Sequence, residues 1–352
     1  MARVLIASGG TGGHLFPSLV LASQLKKEGI EVLVAGAKLK NSSFFGQDEL
    51  PFQEVTSRPG FKGLPYVGKG TYESLKLINC FKPDLVVGFG SFTSFPLLLA
   101  AKLKKVPLVL WAADAYPGKV IRWFSPYAKL TAVHYPEAAK HIKGATLLGE
   151  MPLRENFQKE GLQKKEALAY FGLSEDHPVL LIVGGSQGAK FLNEIAPKAL
   201  KRLPAGIQIV HIAGSQGAAE NLKAVYQKEG KKAQVKPFEE KMHYAWLVAD
   251  IALTRAGAVS LREQLVFEVP GVVVPFPSSA DNHQEENAKA MLHSGLIEML
   301  TEARIDPDKL SKMLMSVLLS GNLRREKARR FKEKHPSKTL LEIVREFIHE
   351  AS

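Results

Sequence analysis

The chain has a single cysteine, Cys80, among 352 residues. That excludes an internal disulfide framework and any zinc site built from several cysteines. A reducing compartment fits. Long apolar runs are also missing. Stretches such as 95–101 and 106–113 fall far short of the roughly 20 residues a membrane-spanning helix needs. No basic start followed by a long apolar stretch precedes Val4-Leu5-Ile6-Ala7, so no secretory leader is read and a cytoplasmic location is expected. Acidic residues are the minority, 35 Asp+Glu against 47 Lys+Arg, for a net charge of +12. Residues 1–150 carry +8 of it and the remainder +4. A basic first half suits nucleic acid, an anionic membrane surface or a phosphorylated substrate, and equally an ordinary solvated surface. What is present is a globular composition, 45% apolar and 23% charged, which excludes a disordered or collagen-like chain. The length suggests two domains of roughly 150 residues each.

Short apolar runs alternate with helical stretches. The strand candidates are 3–7, 31–35, 85–87, 108–111 and 130–133, then 179–183, 207–212, 251–253 and 271–275. Most are continuously apolar, as in strands buried on both faces of a parallel sheet. The alternation occurs twice, so the expected class is α/β with two Rossmann-like parallel-sheet domains. A polar, charged stretch (154–165) separates the sets. The last stretch, 310–352, reads as basic helices. The expected boundaries are 1–153 and 154–335, with the C-terminal helix, about 336–352, packing back on the first domain.

The two halves echo each other. Val4-Leu5-Ile6-Ala7 leads into Gly9-Gly10-Thr11-Gly12-Gly13, and the run 179–183 into Gly184-Gly185-Ser186-Gln187-Gly188. A glycine turn between strand and helix offers backbone N–H groups and the positive end of a helix dipole to a phosphate. The dinucleotide fingerprint G-x-G-x-x-G fails, because its third glycine would fall at Leu15. No P-loop sequence occurs either. Another phosphorylated ligand is therefore favoured over NAD or ATP, and no cofactor is expected.

His14 closes the first turn at a helix start, where the dipole resists protonation and a neutral imidazole is poised as a base. A capping or packing histidine is the plainer alternative. The run Thr254-Arg255-Ala256-Gly257-Ala258 begins another helix, and Glu263 follows one turn later. That helix start suits a phosphate and the carboxylate a ribose diol; a Glu that merely complements the dipole is the alternative. The polar loop 275–288 carries the carboxamides and acids of sugar recognition. Asp306-Pro307-Asp308 resembles a metal-binding D-x-D but reads as a helix cap. His283 with Glu285 and Glu286 has no recognised ligand spacing, so no metal is expected.

Ser8-Gly9-Gly10-Thr11-Gly12-Gly13-His14, Gly184-Gly185-Ser186-Gln187-Gly188-Ala189, Arg255-Ala256-Gly257-Ala258 and Ala280-Asp281-Asn282-His283-Gln284-Glu285-Glu286-Asn287-Ala288 together resemble the signatures of the MurG family, in its order. The resemblance covers nearly the whole chain. It implies a GT-B glycosyltransferase with two domains facing a cleft. The C-terminal half would bind UDP-N-acetylglucosamine. The N-terminal half would bind lipid I, undecaprenyl-diphospho-muramoylpentapeptide, at the inner face of the cell membrane. The reaction would invert the anomeric centre, give lipid II and use no metal held by a D-x-D.

Carried over by position, Thr11, Gly12 and Gly13 would face the sugar nucleotide or the acceptor diphosphate, and His14 is the candidate base. Arg154, in a loosened Gly-Asn-Pro-x-Arg motif, would bind the donor. Ser186 matches a donor phosphate contact. Ala258, Val259, Ser260, Leu261, Arg262 and Glu263 match the helix start that grips phosphate and ribose. Gln284 matches a sugar contact, and a backbone group of Glu239 would read uracil. One segment departs from the family: His-Glu-Gln-Asn is replaced by Trp111-Ala112-Ala113-Asp114, with Asp114 still able to accept hydrogen bonds. The change falls on the acceptor side. Leu75, Leu77, Ile78 and Phe81 among Lys76 and Lys82, helped by Phe61 and Lys62, are read either as an anionic-membrane patch or as a core-facing helix. No nucleic-acid partner is expected, and other cell-wall enzymes stay open as partners. The competing readings are a transferase for another lipid, a nicotinamide oxidoreductase and a non-catalytic UDP-sugar binder.

Overall fold

The computed structural model describes the chain apart from residues 1, 10, 11, 38, 40–49, 59–62, 186, 187, 204, 205 and 352, with backbone alone at 12, 64, 280 and 349–351. It divides into two compact units, 1–153 with 337–352, and 154–336.

The first unit opens with β1 (Arg3–Ala7), α1 (Gly12–Lys27), β2 (Glu31–Gly36), β3 (Phe52–Glu54), α2 (Leu64–Phe81) and β4 (Leu85–Gly88). It continues with α3 (Phe95–Leu103), β5 (Leu108–Ala112), α4 (Lys119–Phe124), β6 (Leu130–Val133) and β7 (Thr146–Glu150). The second unit runs α5 (Lys164–Phe171), β8 (Val179–Val183), α6 (Lys190–Leu200), β9 (Gln208–Ile212), α7 (Gln216–Lys228), β10 (Ala233–Lys236) and α8 (Met242–Val248). It ends with β11 (Ile251–Thr254), α9 (Ala258–Phe267), β12 (Gly271–Val273), α10 (His283–Leu292), β13 (Ile297–Met299), α11 (Pro307–Leu319) and α12 (Gly321–Lys334). The chain then returns to the first unit as β14 (Lys338–Thr339) and α13 (Leu340–Ala351).

Both sheets are parallel throughout their described pairings. The first has the order β14-β7-β6-β5-β4-β1-β2-β3 and the second β10-β9-β8-β11-β12-β13. The apolar runs explain the central strands. Val4, Leu5, Ile6 and Ala7 are fully buried, and so is nearly all of β8, because helices cover both faces. The strand candidates of the sequence all occur, shifted by a residue or two at their ends. Five strands carry no such run: β3, β7, β10, β13 and β14 are short or half-exposed. In α13, Leu340, Ile343, Val344 and Ile348 form one buried stripe at helical spacing. Ile343 and the Trp111 ring both press on Gly149 of β7, so α13 belongs to the core of the first unit.

α2 settles the patch candidate in favour of the core. Ile78 is buried, and Leu75, Leu77 and Phe81 pack against the same core cluster. The large apolar side chains that α2 exposes are Tyr66 and Tyr72. Phe61 and Lys62 lie outside the described residues.

Candidate functional site

Each sheet reverses its strand order once, between β1 and β4 in the first unit and between β8 and β11 in the second. Open parallel sheets bind ligands outside the carboxyl ends of their strands at such a reversal. Most of the residues singled out in the sequence fall at these two places.

In the first unit, Gly9 has φ +128°, and a Cβ there would lie 2.9 Å from Ala37 O and 3.0 Å from Thr93 Oγ1, so the turn needs glycine. α1 begins at Gly12, with Gly13 exposed and His14 half-buried. Thr11 lies outside the described residues. Ser8 Oγ donates to the His14 carbonyl at 3.4 Å. The turn after β4 approaches from the other side. Ser91 there has φ 65° and ψ 148°, a region that glycine normally holds. Its Oγ accepts from Thr93 Oγ1 at 2.9 Å. A Cβ on Gly90 would sit 3.6 Å from His14 Cδ2. His14 thus stands between two turns at the carboxyl edge of the sheet. Ser91 and Thr93 were missed in the sequence, where only the glycines at 88 and 90 hinted at a second turn.

The segment that departs from the family divides by burial. Trp111 is a core residue whose ring packs towards Gly149 and His134, and Ala112 and Ala113 are buried beside it. Its replacement of His is therefore a core change that directs the indole towards the α13 side. Asp114, half-buried in the loop after β5, stays near the carboxyl edge.

In the second unit, Gly188 has φ +72°, and a Cβ there would fall 2.3 Å from Ala213 O. Ser186 lies outside the described residues. α6 starts only at Lys190, so the turn is longer than a direct strand-to-helix step. Across the reversal, α9 starts at Ala258 with no side chain capping its first turn. The N–H groups of Ala258, Val259 and Ser260 therefore belong to the first turn, where helical partners are lacking. Leu261 plays another part: its side chain is core and its N–H bonds Gly257 O at 2.9 Å. Arg262 is half-buried on the same helix.

Glu263 lies in the second turn of α9, not the first. It is partly buried, and its Oε2 accepts from Trp246 Nε1 at 2.9 Å. Burial pushes its carboxyl up to about 7, against the opposing pulls of the Trp246 donor and the Arg154 charge. Arg154 holds its guanidinium 5.2 Å from the Phe157 ring centroid. Phe157 is buried edge-on to Phe267, the last residue of α9, and the segment carrying Arg154 is thereby fixed to the second unit.

A cavity of about 510 Å³ opens beside the glycine turn, lined among others by Gly184, Gly188, Phe191, Arg255, Phe276 and Gln284. The Gln284 side chain accepts from Phe276 N–H at 3.0 Å, which orients its carboxamide. Arg255, named in the sequence only as part of a motif, proves to be an anchor. It donates to Val274 O at 3.1 Å and Pro275 O at 3.2 Å and pairs with Glu302. Asn287, fully buried, donates to Ala256 O at 3.1 Å and ties α10 to the turn before α9. Glu239 is buried, and its carboxylate turns inward onto Lys236 and Tyr170.

Two discounted motifs have structural roles. Asp306 caps α11 by accepting from Lys309 N–H at 2.8 Å, with Pro307 at the first helical position. Glu285 and Glu286 pair with Lys289 at 3.0 and 2.9 Å on an exposed helix face.

Two Rossmann-like units, each with a glycine turn at its strand reversal and one with an uncapped helix beside a carboxylate, define a two-domain transferase of nucleotide-activated groups. The chain belongs to glycosyltransferase family 28, matching its N-terminal domain over residues 4–133 and its C-terminal domain over 179–341. It is 42% identical to the UDP-N-acetylglucosamine–N-acetylmuramyl-(pentapeptide) pyrophosphoryl-undecaprenol N-acetylglucosamine transferase of Protochlamydia amoebophila, over 81% of this chain and 79% of that one. It is 32% identical to the protein of the same name from Halothermothrix orenii, over 91% of each. A crystal structure of MurG from Acinetobacter baumannii superposes with a TM-score of 0.80 at 28% identity, covering 99% of this chain and 100% of that one. The glycosyltransferase of kitacinnamycin, at 16% identity and a TM-score of 0.69 over 98% of each chain, shares the fold.

Proposed function

We propose that this chain transfers N-acetylglucosamine from UDP-N-acetylglucosamine to the 4-hydroxyl of lipid I, giving lipid II with inversion at the anomeric carbon. The observation that carries the reading is the start of α9. An uncapped first turn, fit for a diphosphate, stands one turn from a carboxylate fit for a ribose diol, and Arg154 acts on that carboxylate. The second unit is then the donor domain. Ala258, Val259, Ser260 and Arg154 meet the diphosphate with Ser186 from the glycine turn, Glu263 takes the ribose hydroxyls, Gln284 meets the sugar, and the backbone at Glu239 reads uracil. Leu261 supports the helix from the core side, and Arg262 lies on the same helix start. The first unit is the acceptor domain, with Thr11, Gly12, Gly13 and Asp114 on the acceptor side.

In the reaction the acceptor oxygen forms a bond to the anomeric carbon as the bond to the diphosphate breaks. The His14 imidazole takes the hydroxyl proton. The charge that grows on departing UDP is met by the N-terminal turn of α9 and by Arg154.

A lipid-linked acceptor implies work at the inner face of the membrane. No helix among the described residues is long and apolar enough to cross a membrane. The first unit instead exposes Tyr66, Tyr72, Trp123 and Tyr127. Lys76 lies 4.5 Å from the Tyr72 ring centroid and Lys102 3.4 Å from that of Tyr127. Aromatic bodies next to lysines suit an anionic interface.

UDP release from UDP-N-acetylglucosamine, with and without a lipid I analogue and with EDTA present, tests the proposal. Release that requires the acceptor supports it. Donor binding without release would make the chain a UDP-sugar binder, and release with another lipid would reassign the acceptor.

A further inference from the structure

The loop from Lys236 to Lys241 joins β10, an edge strand, to α8. It carries a buried carboxylate with no role in the reaction described above. Glu239 is only 3% exposed. Its Oε1 accepts from Tyr170 O–H at 3.0 Å and from Lys241 backbone N–H at 2.8 Å, and its Oε2 from Lys236 Nζ at 2.6 Å. Tyr170, on α5, is itself held from both sides. Lys236 Nζ donates to its hydroxyl at 2.9 Å and lies 4.2 Å from its ring centroid, while Lys241 Nζ lies 5.0 Å from the same centroid. Tyr244, the neighbour that packs edge-on to Tyr170, donates to Glu166 at 2.7 Å. The loop is therefore closed on itself through one carboxylate and fastened to α5 and α8 through two tyrosines.

The neighbouring side chain goes the other way. Phe238 is 46% exposed while Glu239 is buried. The loop presents the Phe238 ring outward and keeps its buried carboxylate inside. Burial alone would pull the Lys236 ammonium down, but its hydrogen bonds to Glu239 and Tyr170 outweigh that and hold it above its ordinary value. A carboxylate paired in this way is expensive to unpair, because a buried charge left alone keeps its full desolvation cost. That is the energetic condition for a loop with one shape. Base selectivity read by backbone groups requires such a loop, since a donor or acceptor displaced by an ångström no longer distinguishes one base edge from another.

We propose that the Glu239 carboxylate is the positioning group for nucleobase selectivity: by holding Lys236, Tyr170 and the Lys241 N–H on one point, it fixes the backbone of 238–240 in the register that accepts uracil. The inference rests on the reading of this loop as the nucleobase contact. It adds a role for a side chain that does not touch the base.

The test measures binding of UDP and of ADP, together with donor KM and kcat, for the full chain as wild type, Glu239→Gln, Glu239→Asp and Tyr170→Phe. Glu239→Gln keeps the shape and removes the charge. It should raise donor KM about ten-fold, the loss expected for charge-assisted hydrogen bonds, leave kcat within about two-fold, and narrow the preference for UDP over ADP. Glu239→Asp should restore part of that preference. Tyr170→Phe, which removes one hydroxyl from a part-exposed ring and is therefore safe for folding, should move KM and selectivity in the same direction by about three-fold. A Glu239→Gln protein that melts earlier but keeps wild-type KM and UDP preference would overturn the proposal, leaving the carboxylate a purely structural tie. A wild type that binds UDP and ADP equally would instead overturn the reading of the loop as the nucleobase contact.

Discussion

The two units share a sheet plan but build their sites differently. In the second, the polar side chains around the site are locked by partners: Glu263 on Trp246, Arg255 on two carbonyls and Glu302, Asn287 on Ala256, Gln284 on Phe276 and Glu239 on three donors. In the first, the site is mostly backbone. Two turns meet at His14, and the large aromatic side chains of the unit are either core, like Trp111, or exposed on the surface, like Trp123 and Tyr127. A locked array suits a small ligand of fixed shape, because the ordering cost is met in folding and not in binding. A backbone cradle with an exposed aromatic surface suits a large, lipid-linked ligand whose fixed part is a diphosphate.

The comparison can be broken most sharply at His14. His14→Ala should lower turnover by about 100-fold or more if the imidazole takes the acceptor proton. Steady-state kinetics with a lipid I analogue would show it, and near-normal turnover would remove His14 from the chemistry.

Next in size is a core effect confined to one unit. Ile343→Ala removes a fully buried side chain from α13 and should cost about 2–4 kcal/mol. Calorimetric unfolding should show the loss in the first unit's transition while the donor affinity of the second is kept.

A third effect lies in the pH dependence of the donor. The free Glu263 carboxyl sits at about 7, above its ordinary value. Its neutral form is thus favoured by folding, and the folded state loses stability as pH rises from the ordinary carboxylate range through about 7. On the proposed role of Glu263, a ribose diol donates to the ionised form, so donor binding should release a proton and strengthen with pH. Between pH 6 and 8 donor affinity should rise about ten-fold, set by the ionised fraction of one group near 7. Glu263→Gln should flatten that rise. Titration at the two pH values checks both, and an unchanged slope in the variant would assign the dependence elsewhere.

The smallest effect is expected on the exposed face of α10. Lys289→Ala breaks two solvent-facing ion pairs with Glu285 and Glu286 and should change stability by under about 0.5 kcal/mol. A larger loss would mean that these ion pairs are structurally important and not merely solvent-facing.

Legibility in the sequence followed range. β1 and β8 were readable because continuous apolar runs mark strands covered on both faces. The glycine turns and the start of α9 were readable because turn and helix-start chemistry is local. The Asp306 cap was readable for the same reason. β3 was not, since Phe52 and Gln53 are exposed on an edge strand with no alternation to follow. Nor were the pairs that lock the second unit's candidate site. Trp246 and Glu263 are 17 residues apart, Arg255 and Glu302 are 47 apart, and no spacing rule links them. That Trp111 is a core residue while Asp114 stays half-buried in the loop was not legible either, because motif position does not tell which face of a strand a side chain takes.

The most direct test of the proposed division between a locked donor unit and a backbone-built acceptor unit is calorimetric titration of UDP-N-acetylglucosamine into the wild type and the His14→Ala variant. The account predicts dissociation constants equal within about two-fold, well under the 1.4 kcal/mol that a ten-fold change represents, although turnover falls by about 100-fold. A loss of donor affinity as large as the loss of turnover would contradict it and place His14 in the donor site.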